Sequence, residues 1–185
     1  MKKKTIIVLA EGFEEVETVT PIDILRRAGI DVAVAGLDGH IIVGSRGVVI
    51  KADITLEEME SYPDAVIFPG GMPGAENLAR SVKVKDLILG MHSEERLIAA
   101  ICASPALVLA PTGVLDGKTA TCYPGMEENF SPEITFSEDT VIQDGNIITS
   151  RGVGTALDFS LKIVENLVGK DTAELVGEQT LHHLK

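Results

Sequence analysis

The chain has 185 residues, 45% of them hydrophobic, with 18 glycines and 8 prolines. This length suits one α/β domain with a full core, and we expect that domain to span residues 1–185. The formal net charge of −12 disfavours nucleic acid and anionic membrane surfaces as partners, because affinity for phosphate groups comes mainly from lysine and arginine.

The amino-terminal segment does not predict a membrane helix. Three lysines precede only six strand-like residues, 5–10, and no later apolar stretch approaches the thickness of a bilayer. The two cysteines are too few for a disulfide framework, although a single pair stays open from sequence. We therefore expect a cytoplasmic protein.

Short β-branched segments alternate with helical patterns along the chain, which is typical of βαβ units and a largely parallel sheet. Gly29 should end the first helix, and Pro21 should kink it. The predicted strands are residues 5–10, 31–36, 65–69, 98–101, 119–122 and 146–150. The predicted helices are residues 14–28, 75–79, 82–95, 105–109, 154–168 and 172–181.

Two segments predict antiparallel pairing, so we expect a mixed sheet. The pair Asp144-Gly145 separates two apolar runs, which is a common hairpin signal, and residues 40–50 form a second candidate. In open α/β sheets, ligands bind beyond the carboxyl ends of the strands. The segments predicted to lie there are residues 11–17, 70–74, 102–105 and 123–125.

Cys102 is the candidate nucleophile. It ends an apolar strand and precedes small residues, which predicts a strand, a tight turn and a helix start. Unpaired backbone N–H groups and the helix dipole at such a position favour thiolate over thiol and can hold an oxyanion. The alternative is a buried cysteine that acts only as a small hydrophobic residue.

The acidic segment 11–17 opens the first helix, where carboxylates are favoured by the helix dipole. We assign that role to Glu11, Glu14 and Glu15. Glu17 lies near the apolar stripe of the helix and can point inward toward the strand ends. A carboxyl group in an apolar site has a raised pKa, so Glu17 is a candidate general acid or base and a hydrogen-bond donor to a thiolate.

Two glycine-rich segments are candidates for ligand contact. Residues 69–75 follow a strand, and their N–H groups can supply an oxyanion donor. They lack the lysine and serine or threonine of a Walker phosphate loop, and residues 151–155 lack the context of a dinucleotide fingerprint. A tight turn before a helix is the alternative for both segments.

The chain closely resembles the DJ-1/ThiJ/PfpI superfamily, and most of all its DJ-1 branch. The match runs in order from the first strand to the final helices. It rests on Glu15, Glu17-Thr18-Val19, Pro21, Arg26-Arg27-Ala28-Gly29, Pro69-Gly70-Gly71, Ala99-Ala100-Ile101-Cys102-Ala103 and Thr149-Ser150-Arg151-Gly152.

This resemblance implies a flavodoxin-like three-layer sandwich, with a mostly parallel sheet and helices on both faces, and a homodimer. It implies a strained nucleophile elbow at Cys102 with a protonated Glu17 beside the sulfur. It also implies that the backbone N–H groups of Gly71 and Ala103 form the oxyanion pocket.

The chain departs from the family pattern at two positions. Peptidase-like members carry a histidine directly after the nucleophile, where this chain has Ala103. The DJ-1 branch commonly has a histidine before the proline near the cysteine, where this chain has Tyr123, a weak base near neutral pH. Cys122 is either the partner that resolves an oxidised Cys102 or a bystander at a strand end.

The remaining histidines and arginines give weaker signals. No histidine has metal-site spacing to cysteines or carboxylates, so we expect no metal and no cofactor. We expect His182 and His183 to lie at a solvated helix end. Surface ion pairs are the expected role of the arginines, and the exception is Arg46, which the resemblance places at the substrate pocket together with Tyr123. The histidines are His40, His92, His182 and His183, and the arginines considered are Arg26, Arg27 and Arg46.

The leading functional hypothesis is a cysteine-dependent enzyme that acts on small reactive dicarbonyls or early glycation adducts, with Cys102 as nucleophile and Glu17 as proton carrier. The second is an oxidative-stress sensor or redox chaperone in which Cys102 becomes a sulfinate. An amidase or peptidase is the weakest hypothesis, because Ala103 cannot supply a base.

Overall fold

The computed structural model describes residues 2–182, so the predicted position of His183 lies outside the described residues. The elements follow in chain order as β1 (Lys4–Leu9), α1 (Glu15–Arg27), β2 (Asp31–Gly36), β3 (Ile41–Val43), β4 (Val49–Lys51), β5 (Ile54–Thr55), β6 (Ala65–Phe68), α2 (Gly74–Arg80), α3 (Val82–Ser93), β7 (Leu97–Ile101), β8 (Thr119–Ala120), β9 (Thr135–Phe136), β10 (Val141–Asp144), β11 (Ile147–Ser150), α4 (Ala156–Val168) and α5 (Lys170–Gln179).

Seven strands form the central sheet in the order β10-β11-β7-β6-β1-β2-β5. Every neighbouring pair is parallel except β10 with β11. The order of the longer parallel strands is that of the flavodoxin-like fold, in which ligands bind where the chain direction of the sheet switches. Here the switch lies between β1 and β6.

The sheet separates two hydrophobic cores, because alternate residues of each strand point to opposite faces. In β1, Ile6 and Val8 join one core, whereas Ile7 and Leu9 join the other. Apolar residues of α2 and α3 cover the first face, and those of α1, α4 and α5 cover the second. The expected three-layer sandwich with a mostly parallel sheet is therefore confirmed.

Several local predictions are confirmed. Residues 141–150 form the antiparallel hairpin β10–β11, and β3 pairs with β4 as the second antiparallel unit. Helix α1 ends before Gly29, whose φ is 77°, as expected; it continues through Pro21, where the expected kink stays a prediction. The N–H groups of Gly29 and Ile30 then bond back to the carbonyls of Arg26 and Leu25, a common helix-ending arrangement.

Two predicted elements differ from those observed. The strand expected at residues 119–122 is only Thr119–Ala120, and it pairs with β9 outside the central sheet. The helix expected at residues 105–109 is a single π-helical turn, Pro105–Leu109. Within residues 2–182, no helix is both long and apolar enough to cross a membrane.

Candidate active site

Three loops meet at the carboxyl ends of the neighbouring strands β1, β6 and β7. The first loop leads into α1 and brings Glu17, the second carries Gly70 and Gly71, and the third carries Cys102. Together with the loop after β8 they enclose a cleft of about 550 Å³. The cleft lies at the switch point of the sheet, where the fold favours ligand binding.

Cys102 occupies a sharp turn directly after β7. Its φ of 65° is in the left-handed region, which costs a non-glycine residue about 1–2 kcal/mol. Two backbone hydrogen bonds hold this conformation: the Cys102 N–H donates to the Ser150 carbonyl at 3.0 Å, and the Tyr123 N–H donates to the Cys102 carbonyl at 2.8 Å. The buried Ser104 hydroxyl also donates to the Pro69 carbonyl at 2.6 Å, which links the turn to the loop after β6.

Two backbone N–H groups face the sulfur of Cys102 and act to lower the pKa of its thiol. They belong to Ala103 and Gly71, the two donors that the resemblance implied. Gly70 lies directly against the sulfur: a Cβ atom at this position would lie 2.6 Å from Cys102 Cβ and 3.0 Å from Sγ. A side chain here would displace the cysteine, so glycine is required by the close approach.

Glu17 is fully buried and faces Cys102. Its Oε2 accepts a hydrogen bond of 2.9 Å from the Gly70 N–H, whereas Oε1 has no hydrogen-bond partner among the described residues. Burial raises the pKa of Glu17 to about 7, and the nearby Glu14 carboxylate adds to the rise, against hydrogen bonds from Cys102 and Gly70. Near neutral pH, Glu17 therefore carries a proton in a large fraction of molecules.

The thiol of Cys102 is less acidic than the sequence-based interpretation expects. Burial, the negative charge of Glu17 and the hydrogen bond to Glu17 raise its pKa to about 12, although the Ala103 and Gly71 N–H groups act in the opposite direction. The π-helical turn after it has only 5 residues, so little helix dipole is available to stabilise a thiolate. The two titrations are coupled, because the negative charge of Glu17 opposes ionisation of Cys102.

Tyr123 and Arg46 both line the cleft, together with Glu14 and Ser45. The side chain of Tyr123 is 52% exposed, so the phenol is accessible from solvent at the position where a histidine was expected from the family pattern. Arg46 lies in the loop between β3 and β4 and is exposed. The structure therefore brings both candidate pocket residues to the same cleft as Cys102.

The acidic residues before Glu17 are more than partners of the helix dipole. Glu14 caps α1 by accepting the Glu17 N–H at 2.9 Å. Glu11 accepts the Val43 N–H at 3.0 Å, and Glu15 accepts three hydrogen bonds from the loop between β3 and β4. The dipole interpretation of Glu11 and Glu15 is thus incomplete, because these carboxylates attach the β3–β4 hairpin to α1.

Cys122 is buried, and both cysteines are free thiols, so no disulfide joins them. Burial raises the pKa of Cys122 to about 12, with the Glu127 carboxylate adding to the rise and Arg151 opposing it. Cys122 is completely buried and, unlike Cys102, does not line the cleft. The geometry favours the bystander interpretation of Cys122.

The described histidines lie outside the cleft. His182 follows the end of α5 and is half-buried, with its ring 2.9 Å from Asp158, so the expectation of a solvated helix end is met only in part. His40 lies 3.6 Å from Glu58 on the surface, and the buried His92 Nδ1 has no hydrogen-bond partner in the described part of the chain. Within residues 2–182, no three histidine, cysteine or acidic side chains are grouped as a metal site.

The fold and the site together define a class: flavodoxin-like proteins with a cysteine at a strained strand-to-helix turn, opposite a buried glutamate. A family model described as "DJ-1/PfpI family" matches residues 3–166. The chain belongs to the DJ-1/PfpI family, and the resemblance found in the sequence is confirmed.

Three relatives illustrate this membership. Protein dj-1beta of Drosophila melanogaster is 45% identical to this chain over 184 residues, with 98% of each chain covered. Its crystal structure matches the fold with a TM-score of 0.95 and 43% sequence identity, over 99% of this chain and 100% of that one. The Parkinson disease protein 7 homolog of Danio rerio is 45% identical over 94% of each chain. The glutathione-independent glyoxalase DJR-1.2 of Caenorhabditis elegans is 32% identical over 92% of this chain and 91% of that protein.

Proposed function

We propose that this protein is a cysteine-dependent enzyme that needs no cofactor and acts on reactive dicarbonyls or early glycation adducts. The observation that carries the proposal is the pairing of Cys102 with a buried Glu17 of pKa about 7, beneath two N–H donors and an open cleft. A group with a pKa near neutrality is suited to both give and take a proton. The relative DJR-1.2, whose name describes a glutathione-independent glyoxalase, supports the same chemistry.

The first step is addition of sulfur to the aldehyde carbon of the substrate. The ionised form of Glu17 takes the thiol proton while the sulfur electron pair forms the C–S bond, and the carbonyl π electrons move to oxygen. The N–H groups of Gly71 and Ala103 stabilise this oxyanion, which is then protonated to give a hemithioacetal.

The second step moves a proton between two carbons. Glu17 removes the C–H proton of the hemithioacetal carbon, an enediol forms, and Glu17 returns the proton to the neighbouring carbon. The first carbon is thereby oxidised to a thioester while the neighbouring ketone is reduced to an alcohol, so no external electron acceptor is needed. Water then cleaves the thioester, regenerates the thiol and releases a 2-hydroxy acid.

Conversion of methylglyoxal to lactate in metal-free buffer tests this proposal. We expect turnover by the wild type and its loss in Cys102→Ser, because a hydroxyl is a much weaker nucleophile at this position. Cys122→Ser is the matched control and should retain activity, since its thiol lies outside the cleft. Absence of turnover in the wild type, or equal turnover in Cys102→Ser, would contradict the proposal.

The second candidate function is oxidation sensing, with or without chaperone activity of the oxidised form. Peroxide can add two oxygens to Cys102 in succession, releasing one water each time, and Glu17 with the two N–H donors is placed to hold the resulting sulfinate. The raised thiol pKa slows both functions unless Glu17 removes the thiol proton, because peroxide, like an aldehyde, reacts with the thiolate.

Intact-mass analysis after peroxide treatment tests the sensor function. A sensor should gain two oxygen atoms, mapped to Cys102, while the chain keeps its fold. Oxidation that spreads to Cys122 and the methionines, with Cys102 unmodified, would exclude it. An amidase or peptidase function has no support, because Ala103 occupies the position of a catalytic base and no described histidine lines the cleft.

Four further properties belong to this proposal. We expect a small aldehyde or a glycated molecule as substrate, a homodimer in solution, and a cytoplasmic location. A single domain over residues 1–185 is expected as well. Light scattering of the purified protein tests the dimer directly.

A further inference from the structure

The cleft at Cys102 has an apolar wall that takes no part in the proposed chemical steps. It is lined by Met72 from the loop after β6, by Tyr123 and Met126 from the loop after β8, and by Val153 from the segment after β11. Three of these residues are about half-exposed, Tyr123 at 52%, Met72 at 47% and Val153 at 46%. Water therefore covers apolar surface directly beside the nucleophile, and a ligand that displaces this water gains free energy.

The ring of Tyr123 is held close to the reacting groups. Its backbone N–H donates to the Cys102 carbonyl at 2.8 Å, and its carbonyl accepts the Met126 N–H at 3.0 Å. A Cβ atom at Gly152 would lie 3.4 Å from Tyr123 Cδ2 and 3.8 Å from Glu17 Oε1, so the ring edge and the proton carrier border the same point. The ring is thus pre-organised, and a ligand that packs on it does not have to order this loop first.

The cleft is larger than a small dicarbonyl requires. Its volume of about 550 Å³ lies in the range of pockets that enclose drug-sized ligands, whereas methylglyoxal carries only a methyl group beside its ketone. The proposed chemical steps involve only the two carbonyl carbons of the substrate. The group attached to the ketone is therefore free to extend along the apolar wall.

The side chains of this wall favour an aromatic group over other apolar groups. Aromatic rings that stack or pack edge to face gain free energy beyond the area that they bury, and Tyr123 offers such a partner. Thioether sulfur also makes favourable contacts with aromatic rings, and both Met72 and Met126 line the cleft. The histidine of the family pattern would present a smaller and more polar ring than Tyr123 at the same place.

We propose that Tyr123 is a specificity-determining residue that selects 2-oxoaldehydes with an aromatic group on the ketone carbon, and that Met72 and Val153 complete the surface that holds this group. The inference rests on the proposed function, since it names the substrate class of the same site. Phenylglyoxal is the simplest such aldehyde. Cyclohexylglyoxal is its apolar but non-aromatic counterpart, and methylglyoxal is the small one.

Alkylation of Cys102 measures this selectivity without requiring turnover. Iodoacetamide, N-benzyliodoacetamide and N-(cyclohexylmethyl)iodoacetamide react alike: sulfur forms a bond to carbon, iodide leaves and the thiol proton passes to the buffer. The chain has two cysteines, so a Cys122→Ser background leaves Cys102 as its single thiol. We expect Tyr123→Ala to lower the rate with the benzyl reagent, relative to iodoacetamide, about fivefold, the range for loss of an aromatic contact. The cyclohexylmethyl reagent should lose less.

Tyr123→Phe is the matched control, because it keeps the ring and removes only the hydroxyl. It should retain the preference for the benzyl reagent, and the ratio to iodoacetamide cancels any change in the reactivity of the thiol itself. A fall as large as that in Tyr123→Ala would assign the effect to the hydroxyl and overturn the role of the ring. Equal losses with the benzyl and cyclohexylmethyl reagents in Tyr123→Ala would overturn the preference for an aromatic group.

Two exposed valines test the extent of the apolar wall. Val153→Ala shortens a side chain of the cleft, and Val82→Ala makes the same change at the start of α3, outside the cleft. We expect the first variant to lower the ratio of the benzyl rate to the iodoacetamide rate about twofold, because less apolar area is buried, and the second to leave it unchanged. Equal ratios in the two variants would remove Val153 from the surface that holds the aromatic group.

Turnover separates this inference from the proposed function. With an active enzyme, Tyr123→Ala should raise KM for phenylglyoxal about fivefold more than it raises KM for methylglyoxal, with cyclohexylglyoxal between them. If the wild type converts none of these aldehydes but Tyr123→Ala still abolishes the preference for the benzyl reagent, the enzymatic proposal fails and the aromatic site stands. If the preference is the same in Tyr123→Ala and its parent, the inference fails whatever the activity.

Discussion

Glu17 and Cys102 control each other's protonation. Burial and the carboxylate of Glu17 raise the pKa of the thiol to about 12, and burial raises the pKa of Glu17 to about 7, so near neutrality the thiol keeps its proton while Glu17 is protonated in a large fraction of molecules. The N–H groups of Gly71 and Ala103 favour a negative charge on sulfur, whereas the Gly70 N–H favours it on Glu17. Reactivity therefore depends on where the proton lies at the moment a carbonyl carbon arrives.

Substitution of Glu17 by glutamine separates acidity from catalysis. Glu17→Gln removes the negative charge, so we expect the pKa of Cys102 to fall, while turnover of dicarbonyl drops by about 100-fold because the proton carrier is lost. The pH dependence of iodoacetamide alkylation reports the first change, and steady-state kinetics report the second. Unchanged turnover would remove Glu17 from the mechanism, and an unchanged alkylation profile would remove its charge from control of the thiol.

The sequence identified Cys102 and Glu17 because both signals are local: a cysteine after an apolar strand, and an acid near the apolar stripe of a helix. It could not predict the raised pKa of the thiol, which depends on a carboxylate 85 positions earlier in the chain. The role of Glu15 was missed for the same reason. Its hydrogen bonds to the β3–β4 loop join residues 30 to 33 positions apart, and an exposed glutamate has the same local pattern.

At the level of elements, the strained turn of Cys102 is held by its neighbours rather than by a long helix. β11 contributes the Ser150 carbonyl, the loop after β8 contributes the Tyr123 N–H, and the loop after β6 contributes the Pro69 carbonyl, which accepts the Ser104 hydroxyl. Three separate segments therefore meet at this turn. A positive φ in a cysteine persists because each of them fixes one polar group.

The Ser104 hydroxyl provides a test of this arrangement. Ser104→Ala leaves the buried Pro69 carbonyl without this donor, and we expect a loss of about 1–3 kcal/mol in unfolding free energy together with a fall in kcat. Ser160→Ala is the matched control, because this serine is equally buried and donates to the Ala156 carbonyl within α4 at 2.6 Å. Urea unfolding and dicarbonyl kinetics compare the two. A kcat unchanged in Ser104→Ala would show that the link does not support the site.

Most central strands could be predicted from the sequence because they are short β-branched runs that are buried on both faces. The strand at residues 119–122 was predicted too long, since Thr121 and Cys122 are buried as an irregular segment and only Thr119–Ala120 pairs with another strand. The π-helical form of Pro105–Leu109 was not predictable, because it depends on the direction in which the chain leaves the turn at Cys102. Local patterns specify the type of an element better than its hydrogen-bond geometry.

At the scale of the whole molecule, titration of Glu17 lowers the free energy of unfolding as the pH rises. Glu17 has a folded-state pKa of about 7 against an ordinary glutamate pKa of 4.5, so the folded chain holds its proton more tightly than the unfolded chain does. The resulting stabilisation is fully present below pH 4.5 and is lost as the pH rises from about 4.5 to about 7. A shift of this size corresponds to at most about 3 kcal/mol.

Urea unfolding at pH 5 and pH 7.5 tests this linkage in the presence of reductant. The wild type should lose more unfolding free energy than Glu17→Gln between the two values, because glutamine does not titrate. Other acids with lowered pKa values, such as Asp64, act in the opposite direction at lower pH and are common to both proteins. Equal slopes in the two proteins would contradict a raised pKa for Glu17.

The complete burial of β7 restricts the positions at which a nucleophile can lie in this fold. All five residues of Leu97–Ile101 are buried, and they alternate between the two cores, Ile98 and Ala100 on one side and Leu97, Ala99 and Ile101 on the other. A slip of the strand by one residue would exchange these faces. Insertions or deletions within β7 therefore cannot shift the sulfur of Cys102 by small amounts. Adjustment of the chemistry at the site must come from changes in the surrounding loops.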